Sequence, residues 1–420
     1  MSMCFLSRSR IAALCAAVRM RFLPAFALAV SCVLALAIGM ALALPPAALA
    51  SDDSADKSSE KGNLPEPVEG AVTMLLGAVG DRNATPGKGL DLVALNTLLD
   101  FAMQPAAATE KALPAKRDPG YGIFYRSQIN APLEKLLRYC YDPAIPQEAV
   151  FPASIRSSRW QPGSDIMKSG LRLWERAADQ GLADAPLVLH GAEREEITPD
   201  TFSGCYYAYT LNRLLVLTRH EGRAVLISVS RQAEPSTVGR KGAIVGKDTD
   251  WEYVYSGVPG ATTRGISWMD TYMYDSATIT VFFEEQPGAK ATGYALFKWV
   301  KAGWANLNVV QRKHIRSGAE RFLSGFRQVL ESDRLPPAET IAARTGEFDS
   351  MNEDALRTAL ADYSVRLAVV AKEDSILSRD DFWKIIKDGA YATHLSREEL
   401  VSALLKNYMK ERLGKPALGS

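Results

Sequence analysis

At 420 residues the chain is long enough for two or three domains, each with a core of its own. Apolar residues make up 47% and charged residues 23%, a globular balance that excludes a fibrous or disordered chain. With 49 basic and 48 acidic residues there is no global field to attract a polyanion, so nucleic-acid binding is excluded as a role.

The first fifty residues hold Arg8, Arg10, Arg19 and Arg21, no acid, and an apolar run from Phe22 to Leu44. Ala48-Leu49-Ala50 follows as a small-x-small cleavage pattern, and the chain turns polar at Ser51. Residues 1–50 therefore read as a signal peptide, with Met20 as an alternative start that gives it an ordinary length. An uncleaved anchor over 22–44 is the competing reading, and Pro45-Pro46 with the cleavage pattern favours removal. The expected location is periplasmic or secreted. Cys4, Cys15 and Cys32 leave with the leader, so Cys140 and Cys205 are either a disulfide candidate or two separate buried thiols.

Residues 51–70 are polar and Pro/Gly-punctuated, a linker too poor in apolar surface to fold. Residues 71–149 read as a mainly helical segment packed on the domain that follows. Leu92, Leu95, Leu98, Leu99 and Ala102 stripe one helix, and Gly122 to Gln128 forms a strand. A helix entered through Asn130-Ala131-Pro132 follows, with Asn as its cap. From 150 to 334 the period changes to two. Strands are expected at Ile155–Trp160, Leu187–His190, Cys205–Thr218, Arg223–Arg231, Trp251–Tyr255, Ile266–Tyr274, Thr278–Glu284 and Tyr294–Lys301. A short helix around Ser169 to Gln180 interrupts them. Strand after strand means an antiparallel sheet, not a parallel nucleotide-binding one. Ile315, Ala319, Phe322, Phe326 and Val329 then mark one face of a long amphipathic helix over Asn308 to Glu331.

Leu335-Pro336-Pro337 opens a helical module, 335–420, with S-x-x-[DE] starts at Ser350, Ser378 and Ser396. Its first helix is expected over Met351–Lys372. The fold class is α+β: an antiparallel sheet domain covered by a long helix, plus an all-helical C-terminal module.

Chemistry-bearing motifs are sparse. Gly242 to Asp248 has Lys241 where a P-loop needs Gly and Asp248 where it needs Ser or Thr, so it reads as a loop. His190, His220, His314 and His394 show no ligand spacing, and no metal or other cofactor is expected. Ser267 lacks a nucleophile elbow. Glu193, Glu195, Glu196 and Asp200 read as solvated charges, and no catalytic residue is assigned.

Tyr253, Tyr255 and Trp299 belong to ring ladders beside this helix. The order of strands followed by a long covering helix resembles helix-grip lipid-binding domains of the START-like kind. That resemblance is architectural and carries no functional residue over. The leading functional expectation is non-catalytic binding of a hydrophobic or amphipathic small molecule, such as a lipid, between sheet and helix. Tyr253, Tyr255, Phe282, Trp299, Phe322 and Phe326 are the expected lining, with Arg264 or Arg316 as polar anchor. The first alternative is an envelope assembly factor whose C-terminal helices face a protein partner. The second is a glycan hydrolase gathering Asp250, Asp270 or Glu284. The helix's outer face, with Arg312, Lys313, Arg316, Glu320, Arg321 and Arg327, is either solvated or set against anionic headgroups.

Overall fold

The computed structural model describes residues 62–117 and 120–419, so the expected leader (1–50) and most of the linker lie outside them. The N-terminal segment starts with α1 (Glu66–Ala78), then the two-residue strands β1 (Thr85–Pro86) and β2 (Gly89–Leu90), α2 (Leu92–Ala102) and α3 (Ala106–Thr109). The last residues of the expected linker are thus helical. Val68, Val72 and Leu75 give α1 a buried stripe, and Pro67 sits in its first turn, where a missing N–H costs nothing. Asp91 caps α2 by accepting the Val93 N–H.

The middle of the chain runs through β3 (Tyr121–Ile129), α4 (Leu133–Cys140), α5 (Gln147–Val150), β4 (Ile155–Trp160), α6 (Leu173–Arg176) and β5 (Leu187–Ile197). It continues with β6 (Cys205–Tyr206), β7 (Ala208–His220), β8 (Arg223–Gln232), β9 (Arg240–Ile244), β10 (Tyr253–Pro259), β11 (Tyr272–Glu284) and β12 (Thr292–Gly303). Seven strands form one sheet in the order β3-β12-β11-β8-β7-β5-β4, antiparallel throughout. A second sheet has the order β10-β9-β6. In the β7–β8 turn Glu221 and Gly222 both take left-handed φ, 49° and 76°, which matches the twist of the flanking strands. Asn130 does not cap α4: Pro132 holds that position, and the Asn130 N–H donates to Glu331 at 2.8 Å.

Period two sorts the large sheet's side chains onto two covered faces. Val216, Val225, Ile227, Ile279, Val281, Phe283, Phe297 and Trp299 pack under α1 and α2. Leu215, Leu217, Leu226, Phe282, Tyr294 and Leu296 face the other way, into a larger core shared with α4 and the C-terminal half. Phe124 and Phe297 meet at 4.7 Å between ring centres, a close tilted pair.

The long helix α7 (Arg312–Leu330) buries Ile315, Ala319, Leu323, Phe326 and Val329 in that second core. It also runs along the edge strand β3. Arg312 donates to the Gly122 carbonyl at 3.2 Å, Arg316 to Phe124 at 3.4 Å and Arg327 to Gln128 at 2.9 Å. These are outward-pointing carbonyls of an edge, which would otherwise invite another strand. Arg321 binds Asp248. Much of the basic face is therefore occupied within the protein. At Gly325 a Cβ would stand 2.8 Å from that of Ala153, so the missing side chain permits a close approach.

The C-terminal helices are α8 (Ala338–Ser350), α9 (Glu353–Ala359), α10 (Ala361–Glu373), α11 (Asp380–Ile386) and α12 (Arg397–Leu413). The single helix expected over 351–372 is broken at Leu360, and α8 precedes it. Ser396 and Glu399 form the expected capping box. Asn352, not Ser350, caps α9, and no side chain caps α11. Leu400, Val401, Leu404, Leu405 and Met409 of α12 belong to the same core as the sheet. The described residues form one compact unit. No helix among the described residues is long and apolar enough to cross a membrane.

Candidate functional site

The richest concentration of ionisable groups lies where α12 meets β4 and β5. Strand β5 extends past His190 to Ile197, so the glutamates read as solvated charges sit on a central strand. Glu193 is fully buried; it accepts a hydrogen bond from the Ser158 hydroxyl and lies 3.2 Å from Arg213. Burial, reinforced by the Glu193 charge, pushes the Glu195 carboxyl well above the usual range.

Glu148 on α5 accepts from the Ser158 N–H at 3.0 Å, from Arg159 at 2.7 Å and from the Ser402 hydroxyl at 2.8 Å. Arg156 on β4 bridges Glu196 at 2.8 Å and Glu399 at 2.5 Å, with the Tyr255 ring 3.7 Å from its guanidinium. A third linkage joins Lys410 to Glu252, which also accepts from the Tyr363 hydroxyl at 3.1 Å. Glu148, Arg156, Glu193, Glu252 and Lys410 each have a partner, the condition for tolerating a charge inside a core.

Beside this network is a cavity of about 30 Å³, room for one water molecule. Its wall includes Arg156, Tyr253, Tyr255, Tyr363, Tyr391 and Lys406. The Lys406 ammonium stands 5.3 Å over the Tyr253 ring. Burial, with the like charge of Arg156 added, pulls its pKa down to about 7. A lysine neutral near pH 7 is chemically competent as a base. The space next to it, however, admits no organic substrate.

The expected lining residues are not gathered. Tyr253 and Tyr255 line this cavity. Phe322 and Phe326 stack on Phe151 at 4.7 and 4.6 Å, filling the space beside α7. Phe282 packs on Tyr294, while Trp299 lies on the opposite face of the sheet and donates to the Ala115 carbonyl. Arg264 is exposed on the loop 261–271, and Arg316 serves the β3 edge. The hydrolase carboxylates are dispersed. Asp250 precedes β10 in a short 3-10 turn, Asp270 is exposed, and Glu284 accepts the Ala224 N–H between strands. Cys140 and Cys205 are buried free thiols in different clusters, so the disulfide candidate is corrected to the alternative of two separate thiols.

Sequence reasoning did not single out a surface made by three loops. Phe202 and Trp268 are 76% and 75% exposed, although each is a large apolar side chain. Their loops are tied together: the Thr262 and Thr263 N–H groups donate to the Ser203 carbonyl, and the Thr263 hydroxyl donates to Phe202. His314, at the start of α7, stacks on Phe202 at 6.0 Å. The loop leading into α7 adds exposed Leu307 and Val309. The 261–271 loop also carries exposed Arg264 and Asp270, Lys313 precedes His314, and Lys301 bonds Asn306 of the loop before α7. The Asp200 carboxylate is occupied by the Phe202 and Ser203 N–H groups.

Comparison with known proteins finds no matching family model, no matching curated protein and no matching solved structure.

Proposed function

We propose that this is a non-catalytic, exported protein that docks on the surface of an anionic lipid bilayer through the Phe202–Trp268 loops. The observation that carries this reading is the pair of three-quarters-exposed aromatic rings on loops bonded to each other. Burying such a side chain contributes roughly 1.5–3 kcal/mol. Aromatic rings with a polar edge favour the headgroup region. Arg264, Lys313 and Lys301 each add about 1 kcal/mol near an anionic surface, which Asp270 partly offsets. Export rests on the leader pattern of residues 1–50. An amphipathic molecule held between sheet and helix would have to displace the Phe151, Phe322 and Phe326 stack.

Co-sedimentation with vesicles tests the reading. Vesicles of phosphatidylglycerol and phosphatidylcholine should pellet the protein, pure phosphatidylcholine should pellet much less, and added salt should weaken binding. The double variant Phe202→Ser, Trp268→Ser should bind at least about tenfold more weakly. Equal pelleting of variant and wild type, or no pelleting with anionic vesicles, would overturn it.

A further inference from the structure

We propose that Asp100, His220 and Glu221 form a binding site for a divalent transition metal of the zinc type. Asp100 stands in the last turn of α2, His220 ends β7, and Glu221 occupies the left-handed turn position that follows. One ligand atom from each residue lies within 4.8 Å of the other two. The His220 Nε2 is 2.7 Å from the Asp100 Oδ1 across 120 residues of chain. Its side chain is only 11% exposed, so the imidazole is already ordered, whereas the two carboxylates are exposed, Asp100 bonded to His220 and Glu221 to Arg223.

One imidazole and two carboxylates, with a coordination position left to water, is a ligand set that zinc accepts. Tetrahedral bonds of about 2.0–2.2 Å set ligand atoms about 3.4 Å apart, so Asp100 and His220 must part by less than an ångström while Glu221 swings in. Rotation of the Asp100 and Glu221 side chains supplies that movement. The competing contact is Arg223, 2.5 Å from the Glu221 carboxylate, and an exposed pair of this kind is worth only about 0–1 kcal/mol. A bound metal would fasten α2 to the β7–β8 turn, and so the N-terminal helices to the sheet. This inference is independent of membrane docking, because none of its residues belongs to those loops.

The full chain, stripped with EDTA and titrated calorimetrically with zinc chloride, should bind one equivalent and melt at a higher temperature. His220→Gln and Asp100→Asn should each weaken zinc binding by at least about tenfold. Their metal-free melting temperatures, compared with wild type, separate loss of a ligand from loss of the fold. Magnesium should give no shift. Absence of zinc binding, undiminished affinity in folded His220→Gln, or a magnesium shift as large as that of zinc would each overturn the proposal.

Discussion

Lys406 shows how a single side chain makes stability depend on pH. Folded, it releases its proton near pH 7; unfolded, a lysine does so near about 10.4. Between those values the unfolded chain binds more protons, so stability climbs as pH rises through the window and is lowest below it. The other charged groups of the cavity, Arg156, Glu148 and Glu399, are mutually neutralised or bonded elsewhere. Lys406→Met should therefore stabilise the protein by about 2 kcal/mol near pH 6, allowing for partial exposure, and by much less near pH 10. Urea midpoints at the two pH values would show it, and equal shifts at both would refute the assignment.

Among the elements, α7 and α12 have two tasks each. Helix α7 fills a core and closes the β3 edge with arginines, so Arg316→Ala with Arg327→Ala should cost about 1 kcal/mol per lost bond. The larger effect should be association through the uncovered strand, read as loss of monomer by size-exclusion chromatography. Helix α12 contributes apolar side chains and partners for Glu148, Arg156 and Glu252. Leu405→Ala should cost about 2–5 kcal/mol by denaturant unfolding. Removal of 336–420 should leave an insoluble or molten sheet, because that deletion uncovers core residues and strips buried charges of their partners. A truncated chain that stays folded and monomeric would show instead that the module is separable.

At the scale of the whole molecule, one sheet is covered on both faces. Helices from the N-terminal segment take one side and those from the C-terminal half take the other. Beside α7 the Phe151, Phe322 and Phe326 rings fill the layer, whereas a cleft of about 290 Å³ opens between α1 and the sheet next to Trp299. The residues expected to line a pocket fall in different layers for a physical reason. Side chains alternate faces along a strand, and Phe282 is out of phase with Ala277, the partner of Trp299, so the sheet itself separates the two rings. Sequence periodicity shows that a residue is apolar and on a face, not which layer will cover that face. In the same way Glu193 and Glu195 look like solvent charges until β5 is placed inside the sheet, with Arg213 of β7 reaching Glu193 diagonally. His220 finds Asp100 only because a turn and a helix end meet in space.

Local chemistry was enough to determine the α+β class, a strand on each side of the β7–β8 turn, the helix along Ile315–Val329 and the Ser396 cap. Hydrophobic period, turn residues and caps act within a few positions of each other. The tertiary structure alone decided which strands adjoin, that α7 runs along an edge, and that Glu193 is buried. It also decided that Cys140 and Cys205 stay apart, and which loops leave Phe202 and Trp268 in solvent. These depend on contacts between residues far apart in the chain, whose energies exist only once the layers have packed.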